Sequence, residues 1–461
     1  MHALAAGSAA ILKPAPEARA VGALLVRQLH EAGVDPDLVQ LVATPDDEVG
    51  KHLVTHPGVS EVVLTGSLAT ADLFLGWRPD LRLRAETSGK NSLIITAAAD
   101  IDLAIKDLVK SAFGHAGQKC SAASLAIVEA SVYDDPSFKR RLADVVRSLR
   151  VGWANDPATI MGPVINPPSG PLARALTELS PGETWLVEPQ QCGDTRLWSP
   201  GVIWGVQPGA WFHVTECFGP VLGIVRARDL DEAIEIQNAP EYGLTGGLHS
   251  LDPKEIDTWL QRVQVGNAYV NRHITGAIVQ RQPFGGWKRS SIGGGAKPGG
   301  PSHLHSYGTW EPRDLDVDRA HQSFDDAWAS RFGVDTDPSG LRSESNILRH
   351  HPLDGVVVRA ERSGSAYDVA MLAAQTTRTP VIWSDPITES DEELAARLAV
   401  MNVERLRLLS PASDGLLAAA HSAGVAVDRQ PVSDVGDVEL PHWLKEQAIS
   451  VTRHRHGRLL R

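Results

Sequence analysis

Phe113-Gly114-His115-Ala116-Gly117-Gln118-Lys119-Cys120-Ser121-Ala122-Ala123 sets one cysteine in a glycine-bearing loop directly after the amphipathic stretch Ile101 to Phe113. Upstream stands Glu86-Thr87-Ser88-Gly89-Lys90-Asn91, which separates the thiol and the carboxylate by 34 residues (120 − 86). Groups that far apart in sequence converge only through tertiary structure. The chemistry that needs both is covalent oxidation of an aldehyde. A thiolate adds to the carbonyl, hydride leaves, and a carboxylate directs water at the resulting thioester. A lone cysteine is ordinarily a small buried hydrophobe. Here Gly117, Gln118, Lys119, Ser121 and Ala122 give it a polar, flexible surround, in which a cation or a helix N-terminus can lower its pKa.

On the N-terminal side, residues 9–13 read as a strand, 17–32 as a helix, and 39–42 and 61–65 as further strands. This βαβα rhythm predicts a parallel sheet with helices on its faces, which binds ligands beyond the carboxyl ends of its strands. Residues 81–84 read as a strand that gives way to Glu86, a position suited equally to a solvated loop residue and to a general base. Residues 93–96 and 265–271 are strands of a second α/β unit over 92–300, punctuated by proline and glycine at 162–170 and 199–209. After the glycine-dense stretch 285–300 comes a polar, acidic connector at 311–345. Strands at 355–358, 380–383 and 406–409 then restart the α/β rhythm without a phosphate-type glycine loop.

Composition narrows the function. The 461 residues suffice for two or three domains, and 43% hydrophobic with 22% charged residues is a globular balance. A net charge of −12 argues against nucleic acid as a partner. No run reaches the roughly 18 apolar residues of a membrane span. The N-terminus lacks the basic and apolar regions of a secretory signal. Three cysteines, at 120, 192 and 217, have no metal-type spacing, so no metal is expected and a reducing, cytoplasmic setting is.

Four further segments carry chemistry. Lys13-Pro14 ends the first strand, where a lysine reaches ribose hydroxyls or simply meets solvent. Thr65-Gly66-Ser67 opens a helix whose free N–H groups suit a pyrophosphate, although Gly-x-Gly-x-x-Gly is absent. Glu216-Cys217-Phe218-Gly219-Pro220 offers a ribose acceptor and an aromatic wall, or an ordinary turn. Pro283-Phe284-Gly285-Gly286 sets an aromatic beside a flexible loop.

In this order, Lys13-Pro14, Thr65-Gly66-Ser67, Glu86 with Ser88-Gly89-Lys90-Asn91, Gly117-Gln118-Lys119-Cys120 and Glu216-x-Phe218-Gly219-Pro220 resemble the NAD(P)-dependent aldehyde dehydrogenase superfamily, over about residues 3–310. The run from Ile274-Thr275-Gly276-Ala277 to Pro283-Phe284-Gly285-Gly286-Trp287-Lys288 is similar to the L-glutamate γ-semialdehyde (1-pyrroline-5-carboxylate) dehydrogenase branch. That branch includes the dehydrogenase module of bacterial bifunctional proline utilization proteins. The resemblance implies Cys120 as nucleophile and Glu86 as deacylation base. Lys13, Gly66, Ser67, Glu216 and Phe218 would bind the cofactor, NAD with NADP left open. Ser121 and the backbone N–H groups of Gly276 and Ala277 would grip the substrate α-carboxylate, with Phe284 beside its aliphatic stem. It further implies a homo-oligomer and proline dehydrogenase as a functional partner.

The expected fold is α/β: an incomplete Rossmann-like cofactor domain at 1–91 and an α/β catalytic domain of aldehyde dehydrogenase type at 92–310, with returning cofactor-domain segments. The connector at 311–345 and a structural C-terminal α/β lobe at 346–461 complete it. Ala71 and Pro16 replace a glycine and a glutamate on the cofactor side. Family members carry sequence ahead of the strand ending at Lys13, including early cofactor-domain strands and an oxyanion donor. An N-terminally truncated enzyme is therefore expected, with another semialdehyde such as succinic semialdehyde, or an inactive remnant with a binding role, as alternatives.

Overall fold

Strands whose central members are apolar on both faces build a nine-stranded sheet. Its order is Glu344–Pro352, Leu444–Thr452, Asn267–Val270, Thr245–His249, Asn91–Ile95, Ala123–Glu129, Val221–Ala227, Gly201–Trp204 and Thr184–Val187. From Leu444–Thr452 to Gly201–Trp204 neighbours pair parallel, and Thr184–Val187 closes the edge antiparallel. Both faces of such a sheet are covered, which explains why Asn91–Ile95 is buried at every residue. The computed structural model describes residues 2–459 except 46, 295, 309, 312, 313 and 456.

Two compact units emerge, and neither is a continuous block of sequence. One comprises residues 86–291, 335–349 and 446–461; the other comprises 1–85, 292–334 and 350–445. The C-terminal stretch thus contributes to both, a different grouping from the sequential division expected. In the first unit, helix Ile101–Phe113 starts at Asp100, whose carboxylate accepts from the Leu103 amide at 3.3 Å. It buries Ala104, Ile105, Leu108, Val109, Ala112 and Phe113 against the sheet, and its end delivers the chain to the Cys120 loop.

In the second unit, Val381–Ser384, Val356–Arg359, Arg405–Leu408 and Ala426–Asp428 form a four-stranded parallel sheet. The N-terminal strands depart from the single sheet expected. Ala10–Leu12 pairs only with Val39–Leu41, while Val62–Thr65 joins Leu83–Glu86 and Ser291–Ile292. Helix Arg19–Glu31 buries only Gly22 and Val26, and Val21, Leu24 and Leu25 are 70%, 43% and 49% exposed.

The polar connector holds regular structure. Residues 317–327 form a helix, capped by the Asp316 carboxylate, that buries Ala320, Phe324 and Ala327 in a core with Phe332, Val356 and Trp443. Its acidic residues Asp318, Asp325 and Asp326 face outward, so a high charge count hid an i, i+4, i+7 apolar stripe. Among the described residues, no helix is long and apolar enough to cross a membrane.

Candidate active site

Parallel strands place their incoming loops at one end of the sheet. The segments that enter Asn91–Ile95, Ala123–Glu129 and Val221–Ala227 hold Glu86, Cys120 and Glu216, respectively. The three groups therefore gather at the amino ends of adjacent strands, opposite to the carboxyl-end crevice usual for nucleotide-binding sheets. Glu86 ends the strand Leu83–Glu86, two residues later than the sequence suggests.

Asn91 fixes the thiol loop. Its amide nitrogen donates to the carbonyls of Cys120 at 2.7 Å and Ala122 at 3.0 Å, and its amide oxygen accepts from the Thr245 amide at 3.0 Å. All three interactions involve buried atoms or the loop of the nucleophile, so loss of one side chain orphans several polar groups. Asn91→Ala should lower unfolding free energy by about 3 kcal/mol, read as a shifted urea midpoint with an unchanged m-value.

Two loops meet at Gly117. Its φ is +68°, and a Cβ there would lie 2.1 Å from the Gly219 carbonyl oxygen. Gln118 extends the contact, donating to the Phe218 carbonyl at 3.2 Å and accepting from the Ile165 amide at 2.8 Å. The Phe218 ring is 41% exposed on a backbone with φ of +51°.

Burial pushes the Cys120 thiol up from its ordinary pKa. The Ser121 and Cys120 backbone N–H groups oppose that shift, and the Glu86 and Glu216 carboxylates add to it. Both carboxylates therefore act on the sulfur, and the resting group is a thiol with two amides ready to stabilise the anion. Glu86 is held by the Gly286 amide at 3.0 Å and the Ser291 hydroxyl at 3.3 Å. Glu216 accepts from the Gly89 amide at 2.9 Å. Its carboxyl is raised by burial and lowered by the Ser88 hydroxyl, the Gly89 amide and Lys90.

Lys90 stands in the Ser88-Gly89-Lys90-Asn91 motif, where its sequence context assigns it no role. It is 4% exposed, its ammonium sits 4.1 Å from the centre of the Phe212 ring, and it has no hydrogen-bond partner among the described residues. Burial lowers its pKa to about 8, against the opposing pull of Cys217 and Glu216. The unfolded chain, with Lys90 near its ordinary value of 10.5, then binds more protons than the folded one between those two values. Stability linked to this group must rise with pH across that window. In urea denaturation the wild type should gain on Lys90→Met as pH increases from 7.5 to 10; a constant difference would refute this.

The loop after Asn267–Val270 returns to the same end of the sheet. The Ile274 amide donates to the Ser111 hydroxyl at 3.0 Å, in the last turn of the helix leading to Cys120. Asn267 donates to the Pro283 carbonyl at 2.9 Å and accepts from the Gly285 amide at 3.0 Å, which fixes half-buried Phe284 between them. Gly276 is exposed with φ of +78°. Among the described residues none accepts a hydrogen bond from the Gly276 or Ala277 amide. Ser121 is buried, and its carbonyl accepts from the Thr245 hydroxyl at 3.5 Å.

Lys13, Gly66 and Ser67 belong to the other unit. Lys13 is half-buried and Gly66 exposed. Ser67 caps the ten-residue helix Leu68–Trp77, its hydroxyl accepting from the Thr70 amide at 3.2 Å. Buried Ala71 lies within that helix. Sequence reasoning gave no role to Asn91, Gln118 or Asn267. Asn91 and Asn267 open buried strands and Gln118 lies in a loop, and nothing local distinguishes them from turn residues.

Residues 1–311 match the model of the aldehyde dehydrogenase family. A 1-pyrroline-5-carboxylate dehydrogenase of Bacillus subtilis (strain 168) is 37% identical over 312 residues, covering 66% of this chain and 60% of the relative. The chain thus spans less than two thirds of that curated relative. Among solved structures, Proline Utilization A (PutA) from Corynebacterium freiburgense aligns with 99% of this chain and 48% of its own, at TM-score 0.92 and 45% identity. A 1-pyrroline-5-carboxylate dehydrogenase from Thermus with bound NAD covers 66% of this chain and 60% of its own, at TM-score 0.62 and 34% identity.

Proposed function

The chain belongs to the aldehyde dehydrogenase family, and from that premise we propose that it carries the machinery to oxidise L-glutamate γ-semialdehyde to L-glutamate with NAD, the second step of proline catabolism. One observation carries the reading. A half-buried thiol, flanked by two backbone N–H donors, lies in the field of two carboxylates, one at a strand end and one in a loop. In the proposed reaction the Cys120 sulfur adds to the aldehyde carbon. After hydride departs, Glu86 takes a proton from the water that attacks the thioester, and the thiol is regenerated. The amide donors near the sulfur suit the developing oxyanion.

The nicotinamide cofactor, when bound, accepts the hydride. Glu216 and exposed Phe218 suit a ribose and a flat ring, and they are the residues that would hold that end. Lys13, Gly66 and Ser67 keep the ribose and pyrophosphate roles that the resemblance implies for a nucleotide. Ser121 with the Gly276 and Ala277 amides would bind the substrate α-carboxylate, and Phe284 would pack on the stem. Sparse unpaired cysteines support a cytoplasmic site of action, and a homo-oligomer working beside a proline dehydrogenase completes the reading.

NADH formation by the 461-residue chain, compared between L-glutamate γ-semialdehyde, succinic semialdehyde and a neutral aldehyde, tests this. The highest kcat/KM should fall to the first. Preference for succinic semialdehyde would reject the substrate, and no turnover of any aldehyde would reject activity of the chain on its own. The exposed Val21, Leu24 and Leu25 favour a second reading, in which the chain acts only when another polypeptide covers that helix. Turnover by the isolated chain rules it out.

A further inference from the structure

The loop assigned to the substrate carboxylate is closed at its base by a single carboxylate from a distant part of the chain. Arg272 and Arg281 bracket residues 273–280. Arg272 donates to Glu344 Oε2 at 2.7 Å and Arg281 to Glu344 Oε1 at 2.9 Å. All three residues lie in one compact unit. The Glu344 and Arg272 side chains are only 14% and 12% exposed.

A neutral tie runs alongside this ionic one. Gln282 donates to the Asn346 side chain at 2.6 Å and accepts from the Ile278 amide at 2.9 Å, inside the loop. Ser450 donates to Asn346 at 2.8 Å. The loop is thereby fastened at both ends to the strands Glu344–Pro352 and Leu444–Thr452, where Ser450 accepts from Arg272 and Gln282, and its middle is tied through Ile278 to its own far end.

We propose that Glu344 is a positioning residue for substrate recognition: by joining Arg272 to Arg281 it holds the 273–280 loop in the conformation that presents the Gly276 and Ala277 amides to a carboxylate. The substrate part of this inference rests on the assignment of that loop under the proposed function. Two cations brought to the base of an eight-residue turn repel each other unless an anion lies between them. Shielding from water strengthens both the repulsion and its relief. Burial works to raise the Glu344 pKa, but Arg272, the Asn346 amide and Arg281 hold it below the ordinary carboxylate range. The clamp is therefore charged throughout the neutral range. A Glu at 344 also discriminates among substrates, since only an aldehyde bearing a carboxylate uses the loop it organises.

The test compares hydrogen exchange of the 273–282 peptide in the full chain and in Glu344→Gln, with and without L-glutamate as the carboxylate probe. In the wild type, L-glutamate should slow exchange in this peptide. In Glu344→Gln the loop should exchange at least about tenfold faster and lose the slowing by L-glutamate, while Asn91–Ile95 stays protected. The KM for L-glutamate γ-semialdehyde should rise at least about tenfold with kcat within about twofold, and kinetics with a neutral aldehyde should not change. Glu344→Asp should recover part of the loop protection. Arg281→Met, at a side chain 41% exposed and so tolerant of replacement, should loosen the same loop and covers the case in which Glu344→Gln does not fold. Wild-type exchange in the loop of either folded variant overturns the clamp. A loosened loop with no L-glutamate effect in the wild type keeps the clamp and overturns the carboxylate assignment.

Discussion

Cys120→Ala should reduce NADH formation from every aldehyde to background, a loss on the order of 10⁶-fold if the thiol is the sole nucleophile. It should also remove the burst of nitrophenolate from p-nitrophenyl acetate, an ester that acylates a thiol without any cofactor. Of the three free cysteines, Cys192 is exposed and Cys217 buried, so both remain in the variant as internal controls. Cys192→Ser should retain the burst. The distinction matters because a burst needs an acyl-enzyme that forms faster than it hydrolyses, and the two backbone donors that oppose the upward shift stand at Cys120. A residual burst in Cys120→Ala would place the nucleophile elsewhere.

Glu86→Gln should separate the two halves of the reaction. Acylation of Cys120 remains, so about one equivalent of product appears, and steady-state turnover then falls by roughly 10²–10⁴-fold because water lacks its base. The same substitution should make the thiol more reactive. Glu86 is one of the groups that raise the Cys120 pKa, and neutralising it moves the midpoint of iodoacetamide alkylation to lower pH. General damage to the site would depress both properties together. An increase in alkylation at neutral pH with a collapse in turnover therefore assigns Glu86 to deacylation. Parallel losses would leave it a structural residue.

Much of this site is visible in sequence because its chemistry is local. Helix Ile101–Phe113 announces itself through an aspartate cap and an apolar stripe, and it ends where the cysteine loop begins. The glycine at 117 is likewise readable, although its reason, a carbonyl from the Glu216 loop where a Cβ would stand, is not. What sequence conceals are the long-range amide bridges. Asn91 opens a buried strand and reaches the Cys120 loop 29 residues away, and nothing in its local surroundings distinguishes it from a turn residue. Glu344 is hidden more deeply, since it falls in a stretch whose polarity reads as a connector. That stretch contains a packed helix and then the residue that ties together the ends of the Gly276 loop. The early strands misled in the other direction. Their rhythm is that of one parallel sheet, yet pairing is a nonlocal property, and Ala10–Leu12 and Val62–Thr65 lie in separate sheets.

The most direct measurement is peptide mapping by mass spectrometry after the Glu86→Gln chain is mixed with L-glutamate γ-semialdehyde and NAD, then quenched in acid. The account predicts a glutamyl thioester on Cys120, formed in near-stoichiometric amount together with one equivalent of NADH. An acyl group on another residue, or NADH released with no adduct at Cys120, would contradict it.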